Sequence, residues 1–369
     1  MLIVSGAGVK AYDGHAPIRI NSNGDFDANH GVIDGDGSAD NPWVIENYVI
    51  NGTGYGYCIY IGNTTDYFVI QNCYLHNASG YQNSQYYENS GVILYNVENG
   101  LVKDSKMATN YNGIYLYGSS NNVIEDNLVI MNSYQGINLW HSSDCNLVIN
   151  NTVGLNEWYG IYVVGFENQY NGMSCDYNNI TRNIAWYNTC GGMYLAIAEH
   201  NEIYSNDFSF NELYGIGYSQ ELASWNNVTY NYISENYYGM YIGASSENNI
   251  VCHNQIQSSV EYGIYVTESD NNLIHQNNII NNTYQAYDDS ENNWDNGYPS
   301  GGNFWSDYNG TDEYSGPGQN EFGSDGIGDM SYGLEGNGED AYPWMGPVGS
   351  YGLGRRVEPS GLGRRVEPS

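Results

Sequence analysis

The sequence reads as an all-β chain wound into a right-handed parallel β-helix, and three observations carry that reading. First, one phrase recurs, aligned on glycine, from Cys58, Gly91, Gly113, Gly136, Gly160, Gly192, Gly215, Gly239 and Gly263. Second, the regular repeats run 22–24 residues, a period too short for a helix pair or a propeller blade. Third, two polar positions keep phase with the glycine. One is Asn72, Ser105, Asn127, Asn151, Asn183, Asn206, Asn231, Asn254 and Asn277; the other is Asn77, Asn110, Asn132, Asn156, Asn188, Asn211, Asn236, Ser259 and Asn282.

Each repeat opens on a strand. In "GIYL", Ile114 and Leu116 share one face and Tyr115 takes the other, the period of two that a pleated strand imposes. Two further short strands follow, each set off by a polar turn. At those turns Asn suits left-handed backbone, and copies stacked about 4.8 Å apart bond amide to amide. Parallel crossovers of this kind wind right-handed. Length alone would allow two or three domains, but stacked coils grow as one body, here a rod of roughly 45 Å.

Open strand edges at the two ends need covering. Residues 1–57 are therefore expected to form an N-terminal cap with the leading coil, 58–285 the coils, and 286–350 a C-terminal cap with an Asp/Gly loop. The tail 351–369, a tandem "GLGRRVEPS", reads as a disordered end. Two repeats, 58–90 and 160–191, are long, and their extra residues near 78–90 and 168–178 should project as loops, where function tends to sit.

Nine Lys and Arg stand against 42 Asp and Glu, a net charge of −33. Ahead of the tail the balance is 5 basic to 40 acidic residues. Such a surface repels phosphate, which excludes nucleic acid as a partner. No apolar run reaches the ~18 residues of a membrane span, so no insertion is expected. The opening "MLIVSGAGVKA" is too short for a full signal peptide, which predicts a trimmed leader. Eight sequons begin at Asn51, Asn63, Asn77, Asn150, Asn179, Asn227, Asn281 and Asn309, and six Cys carry no metal-ligand spacing. Cys175 and Cys190 bracket an irregular stretch and are candidates for a disulfide; buried thiols are the alternative for the other four. Together these features predict an extracellular, cell-surface location.

The coils resemble the repeats of NosD-like and related archaeal cell-surface proteins. "PIRINSNGDF" with "GDGSADNPWVIENYVINGTG" is similar to the N-terminal segment of that family, and "GGNFWSDYNGTDE…DGIGD…YP" to the segment after its last coil. The resemblance covers roughly residues 16–345 and implies fold and export more firmly than activity.

Candidate sites follow from the outward positions. Tyr60, Ile93, Tyr115, Asn138, Tyr162, Tyr194, Gly217, Tyr241 and Tyr265 form one column of the first strand. Tyr95, Tyr117 and Trp140 stand two residues on, and Tyr159, Tyr214, Tyr238 and Tyr262 precede the glycine. Such a face suits sugar-ring stacking or contact with further copies of the chain; aromatic ladders also support themselves. In the C-terminal segment Asp312, Asp325 and Asp329 among glycines are candidate calcium ligands, since resemblance and spacing both suggest a compact Asp/Gly loop. Catalysis finds less support. The coils hold only Lys103, Lys106 and Arg182 as bases for a lyase, and their acids are spread one per coil rather than paired. Copper would want soft ligands together, whereas His76, His141, His200, His253 and His275 fall at different coil positions. The sequence therefore predicts a structural or adhesive surface solenoid that contacts glycans or assembles with its own copies into an oligomer or filament. A polysaccharide-active enzyme, lyase or hydrolase, or a carbohydrate-binding module is the alternative.

Overall fold

A computed structural model describes residues 12–80, 89–167, 172–218 and 222–349. Every coil passes through three parallel sheets, of 12, 10 and 12 strands in the order the chain meets them from the repeat glycine. The chain is a parallel β-helix. In one coil the strands are Ile114–Tyr117, Val123–Glu125 and Leu128–Ile130. The register is one residue per column. Ile114 lies between Val92 and Ile137, and Tyr115 between Ile93 and Asn138.

The inward columns make the core. Val92, Ile114, Ile137 and Ile161 stack on the first sheet with no exposure, and Ile124 and Val129 face them from the second and third. Because each coil buries its apolar face only against the next, this core is continuous from Ile18 to Trp305. The repeat glycine is a packing requirement. A Cβ at Gly113 would stand 2.1 Å from Val129 Cγ1 and 2.6 Å from the carbonyl of Gly136.

Amide ladders close the turns. Asn151 Oδ1 accepts from the backbone N–H and the amide of Asn127, and its own amide donates to the carbonyls of Ile124 and Ile149 and to Asn183 Oδ1. The residue before each ladder amide takes the left-handed conformation, whatever its type: Asp126, Asn150 and Arg182 have φ of 54°, 57° and 55°. Left-handed backbone costs a non-glycine residue roughly 1–2 kcal/mol, and the ladder bonds offset it. The ladder amides themselves are not left-handed, contrary to the sequence reading. Its first members are corrected accordingly. Asn72 and Asn77 occupy the left-handed sites, and the backbone N–H groups of Cys73 and Ala78 donate the ladder bonds to Ser105 Oγ and Asn110 Oδ1. A third ladder, from Asn122 through Asn146, Asn178, Asn201, Asn226, Asn249 and Asn272 to Asn292, guards the turn before the second sheet.

Both ends are stoppered by aromatic residues. Phe26 stacks on Trp43 at 5.8 Å, and Trp294 and Trp305 are fully buried at the other end. The segments expected as caps also supply strands. Asp13–His15 and Ile18–Ile20 begin two sheets, while Phe304–Trp305 and Glu335–Gly336 extend the same two. Of the expected loops, 81–88 and 168–171 lie outside the described residues, as does the tail from 350. The flanks of the second insertion pair antiparallel, Phe166–Glu167 with Gly172–Met173. Among the described residues no helix is long and apolar enough to cross a membrane.

Candidate functional site: a break in a tyrosine wall

On the outer side of the first sheet two neighbouring columns carry most of the tyrosines. One stands just before the repeat glycine, the other three residues later. Rings of the two columns touch: Tyr57 meets Tyr60 at 6.0 Å, Tyr159 meets Tyr162 at 5.7 Å, and Tyr262 meets Tyr265 at 5.2 Å. Along a column they stack, with Tyr162 on Tyr194 at 5.3 Å and Tyr265 on Tyr287 at 4.7 Å. Beside them Tyr95 stacks on Tyr117 at 5.1 Å, and Trp140 on Tyr162 at 6.1 Å.

These positions point outward as the sequence predicts, but their burial differs from the expectation of an open aromatic face. Tyr115 and Tyr194 are only 3% exposed and belong to two small apolar clusters outside the sheet. Tyr95, Tyr117, Trp140 and Tyr162 are half-buried against those clusters. Rings large enough to bridge coil to coil cover one another, so outward does not mean exposed. Burial also pushes the phenols of Tyr159 and Tyr162 above their ordinary value, so at neutral pH both remain hydrogen-bond donors rather than bases.

Gly191, Gly217 and Ile93 interrupt the two columns, but polar side chains interrupt them in one stretch. Between Tyr57 and Tyr159 the first column reads Ser90, Asn112 and Gln135, and between Tyr115 and Tyr162 the second holds Asn138. Asn112, Gln135 and Asn138 are at most 4% exposed. Asn112 donates to Ser90 Oγ at 3.4 Å. Asn112 Oδ1, both polar atoms of Gln135, Asn138 Oδ1 and the indole nitrogen of Trp140 are buried without a hydrogen-bond partner. A buried polar group left unpaired costs about 1–3 kcal/mol, and here five atoms share one patch. The sequence did signal it, since amides interrupt a column otherwise rich in Tyr, but the expectation rested on the rings alone.

The other candidates resolve as follows. The thiols of Cys175 and Cys190 are free; Cys175 is wholly buried in the core, while Cys190 packs outside the first sheet, so the sheet separates them and the expected disulfide is corrected. Asp312 accepts from the N–H groups of Asp325 and Gly326, Asp325 from that of Ile327, and Asp329 from those of Glu313 and Tyr314. Each carboxylate clasps its own loop, and calcium at these residues is not supported. Among the described residues no three His, Cys, Asp or Glu converge as metal ligands. Seven sequon residues are exposed, while Asn227 is half-buried and donates to Glu202. At the C-terminal end of the wall, Asp307 and Glu335 line one cavity of about 130 Å³ with Tyr284 and Tyr332. Tyr332 donates to Asp307 at 3.1 Å and Tyr262 to Glu335 at 2.8 Å.

The family model described as periplasmic copper-binding protein (NosD) matches residues 44–225 and 173–310. The chain belongs to the NosD family. Among solved structures it is similar to the periplasmic alginate epimerase AlgG, at 17% identity and a TM-score of 0.56 over 68% of this chain and 67% of that one. It is also similar to a DFA-IIIase variant from Arthrobacter chlorophenolicus A6, at 13% identity and a TM-score of 0.50 over 66% and 63%. The mannuronan C-5 epimerase AlgE6 A-module of Azotobacter vinelandii aligns at 17% identity and a TM-score of 0.49 over 67% and 72%. No curated protein matches the chain. At these identities the likeness to solved structures is one of fold. It nevertheless corrects the expected function: the two solved structures aligned at a TM-score of 0.50 or more are named as an alginate epimerase and a DFA-IIIase, not as structural or adhesive proteins. The family's periplasmic description agrees with a place outside the cytoplasm.

The copper in the family's description requires donors that the described residues do not assemble. Cys252 is the register partner of His275, whose Nδ1 is buried and unpartnered, and His253 lies close enough to oppose protonation of His275. Two of the histidines taken as scattered are thus neighbours. They still do not make a three-ligand group with any described His, Cys, Asp or Glu. These residues do not fit a copper centre.

Proposed function

We propose that this NosD-family chain is an exported, polysaccharide-active β-helix that takes a glycan along the outer face of its first sheet. One observation carries the reading: unpaired buried amides set in a wall of tyrosine rings. Sugar rings stack on aromatic faces, and once the half-buried rings beside the break turn aside, sugar hydroxyls can reach amides that are closed to solvent in the unliganded chain.

Cleavage, rather than binding alone, is favoured by a second observation. Asp307 and Glu335 line one cavity at the end of the same face, and glycoside hydrolysis uses two carboxyl groups flanking the bond. In that role one would protonate the leaving oxygen while the other activates water or attacks the sugar. The experiment is to incubate the chain with a panel of polysaccharides and follow new reducing ends, alongside retention on the same polymers in gels. Asp307→Asn and Glu335→Gln are expected to lower turnover by about a hundredfold or more while retention persists. Retention without turnover in the unaltered chain would reduce the function to binding; neither retention nor turnover on any polymer would overturn it.

A further inference from the structure

We infer that two copies of the chain pair antiparallel through the outer faces of their third sheets. The inference goes beyond the function proposed above and does not depend on it, because the first sheet of each copy stays uncovered. It starts from a composition unlike that of the chain as a whole, whose net charge is −33. Over eight consecutive strands of the third sheet, from Tyr74–Ser79 to Gln255–Gln257, the outward positions hold one acid, Asp207, and one cation, Lys106. Between these two lies an apolar stretch. Met131, Ile184 and Tyr187 are 49%, 37% and 45% exposed, and Leu128, Ile130 and Trp186 are half-buried beside them. The indole of Trp186 leans over Gly154, so the apolar surface continues across the central coil. On the first sheet the rings cover one another; here apolar side chains face solvent. Adjoining exposed apolar side chains with a polar rim mark a contact surface.

The order of charges along the face identifies the occupant as a second copy. Lys106, Leu128, Thr152, Ile184 and Asp207 form one column in register, with Thr152 at its centre. At the turn before this sheet Asp126, Asn150 and Arg182 form another column, centred on the same coil. A twofold axis laid along the strand Thr152–Gly154 reverses the order of coils and keeps each column on itself. It sets Lys106 against Asp207 and Asp126 against Arg182 of the second copy, and each contact occurs twice. It also sets Leu128 against Ile184, Ile130 against Trp186, and Met131 against Tyr187. Within one copy Lys106 and Asp207 stand four coils apart, about 19 Å, too far to pair. Neither Lys106 nor Arg182 has an ion pair with another described residue. An axis along the rod would instead set Lys106 against Ala108 and Arg182 against Tyr187, so charge selects the antiparallel pairing. Thr152–Gly154 is the sixth of 12 strands in its sheet, and the two rods therefore overlap along nearly their whole length. Ten strand spacings of about 4.8 Å by five residue steps of about 3.3 Å give roughly 800 Å² per copy, the size of a standard stable interface.

Sedimentation velocity of the full chain, at concentrations from about 1 to about 100 μM, tests the inference. A species of twice the mass of the chain is expected. Lys106→Glu sets two carboxylates against each other, and Asp207→Lys sets two ammonium groups; each is expected to weaken association about tenfold or more. The double variant, Lys106→Glu with Asp207→Lys, exchanges the signs and should return association to the wild-type level, a return that damage to the fold would not produce. A chain that stays monomeric throughout the range would overturn the inference, as would a dimer that neither single exchange weakens. A double variant as weak as the single ones would also overturn it, because the two residues would then not face each other. Retention on polysaccharides is a separate readout, so failure of the dimer leaves the proposed function standing, and failure of retention leaves the dimer.

Discussion

Asn151 and Gln135 are both amides buried beyond the reach of solvent, on consecutive coils, yet they are held in opposite ways. The side chain of Asn151, at a turn, accepts two hydrogen bonds and donates three. The side chain of Gln135, on the outer face of the first sheet, makes none. Backbone register, core column and coil length continue unbroken through both, so the fold does not require the unpaired state. A buried polar group that the fold does not need and leaves unpaired costs the unliganded chain about 1–3 kcal/mol. The turn amides hold the coils together; the amides in the wall hold open a set of hydrogen bonds.

The largest effect should come from breaking the paired region. Asn151→Leu removes every bond above, taking the acceptor from the N–H and amide of Asn127 and the amide donor from the carbonyl of Ile124, while the carbonyl of Ile149 keeps the N–H of Asp126. At about 1–3 kcal/mol for each unpaired buried group, a loss of several kcal/mol is expected. Asn254→Leu, at the same position four coils later, should cost as much, since its amide likewise reaches Val228, Cys252 and Asn277. Urea unfolding midpoints measure both. If either variant unfolds at the wild-type midpoint, the ladder is decoration and the comparison fails.

How much of this was legible beforehand differs between the two regions for a physical reason. Ladder and strand registers repeat, and repetition is visible in one chain: the column Tyr115, Asn138, Tyr162, Tyr194 is the one the sequence predicts. Where Asn crowds both sides of a turn, the repeat is ambiguous by one residue, which misplaced Asn72 and Asn77 and hid the third ladder behind pairs such as Asn121 and Asn122. Burial of the wall was not legible, because it depends on how rings from several coils cover one another. Nor was the fate of Cys175 and Cys190, which turns on which side of a sheet each one faces. The acids of the Asp/Gly loop looked like metal ligands because clasping backbone N–H groups and binding calcium draw on the same residues.

A second contrast lies in the C-terminal cap, where a buried polar group is paired but still titrates. Asp340 accepts from the N–H of Asn303 and Tyr342 and from the indole of Trp305, yet burial pushes its carboxyl from 3.8 up to about 7. The native state thus holds this proton across a window in which the unfolded chain has released it. Stability from this group is fully present below the unfolded value of 3.8 and is lost as pH rises through about 7. Asp340→Asn keeps the shape and removes the charge. From about pH 5 to about pH 8 the wild type should lose stability relative to the variant, read as the difference between their melting temperatures. A difference constant across that range would mean that the carboxyl stays ionised and paired.

The smallest effect is the most discriminating, because its sign is unusual. Gln135→Leu replaces an unpaired buried amide with an apolar side chain of similar size. Nothing is lost, since Gln135 makes no side-chain hydrogen bond to lose, and the desolvation of two polar atoms is relieved. The unliganded chain should therefore become more stable, by about 1 kcal/mol or somewhat more, while retention on the polysaccharide that the wild type binds should fall. In Asn151 the same exchange of amide for Leu destabilises; in Gln135 it should stabilise. Thermal melts without ligand, paired with retention in gels, read both halves of the prediction. A destabilised Gln135→Leu would mean that the amide has a structural partner, such as an internal water, and that the break in the wall belongs to the fold. A stabilised variant that binds as the wild type does would move the glycan elsewhere on the face, towards the stacked rings of Tyr241, Tyr265 and Tyr287. More stability with less binding is the outcome that ties the unpaired amides to function.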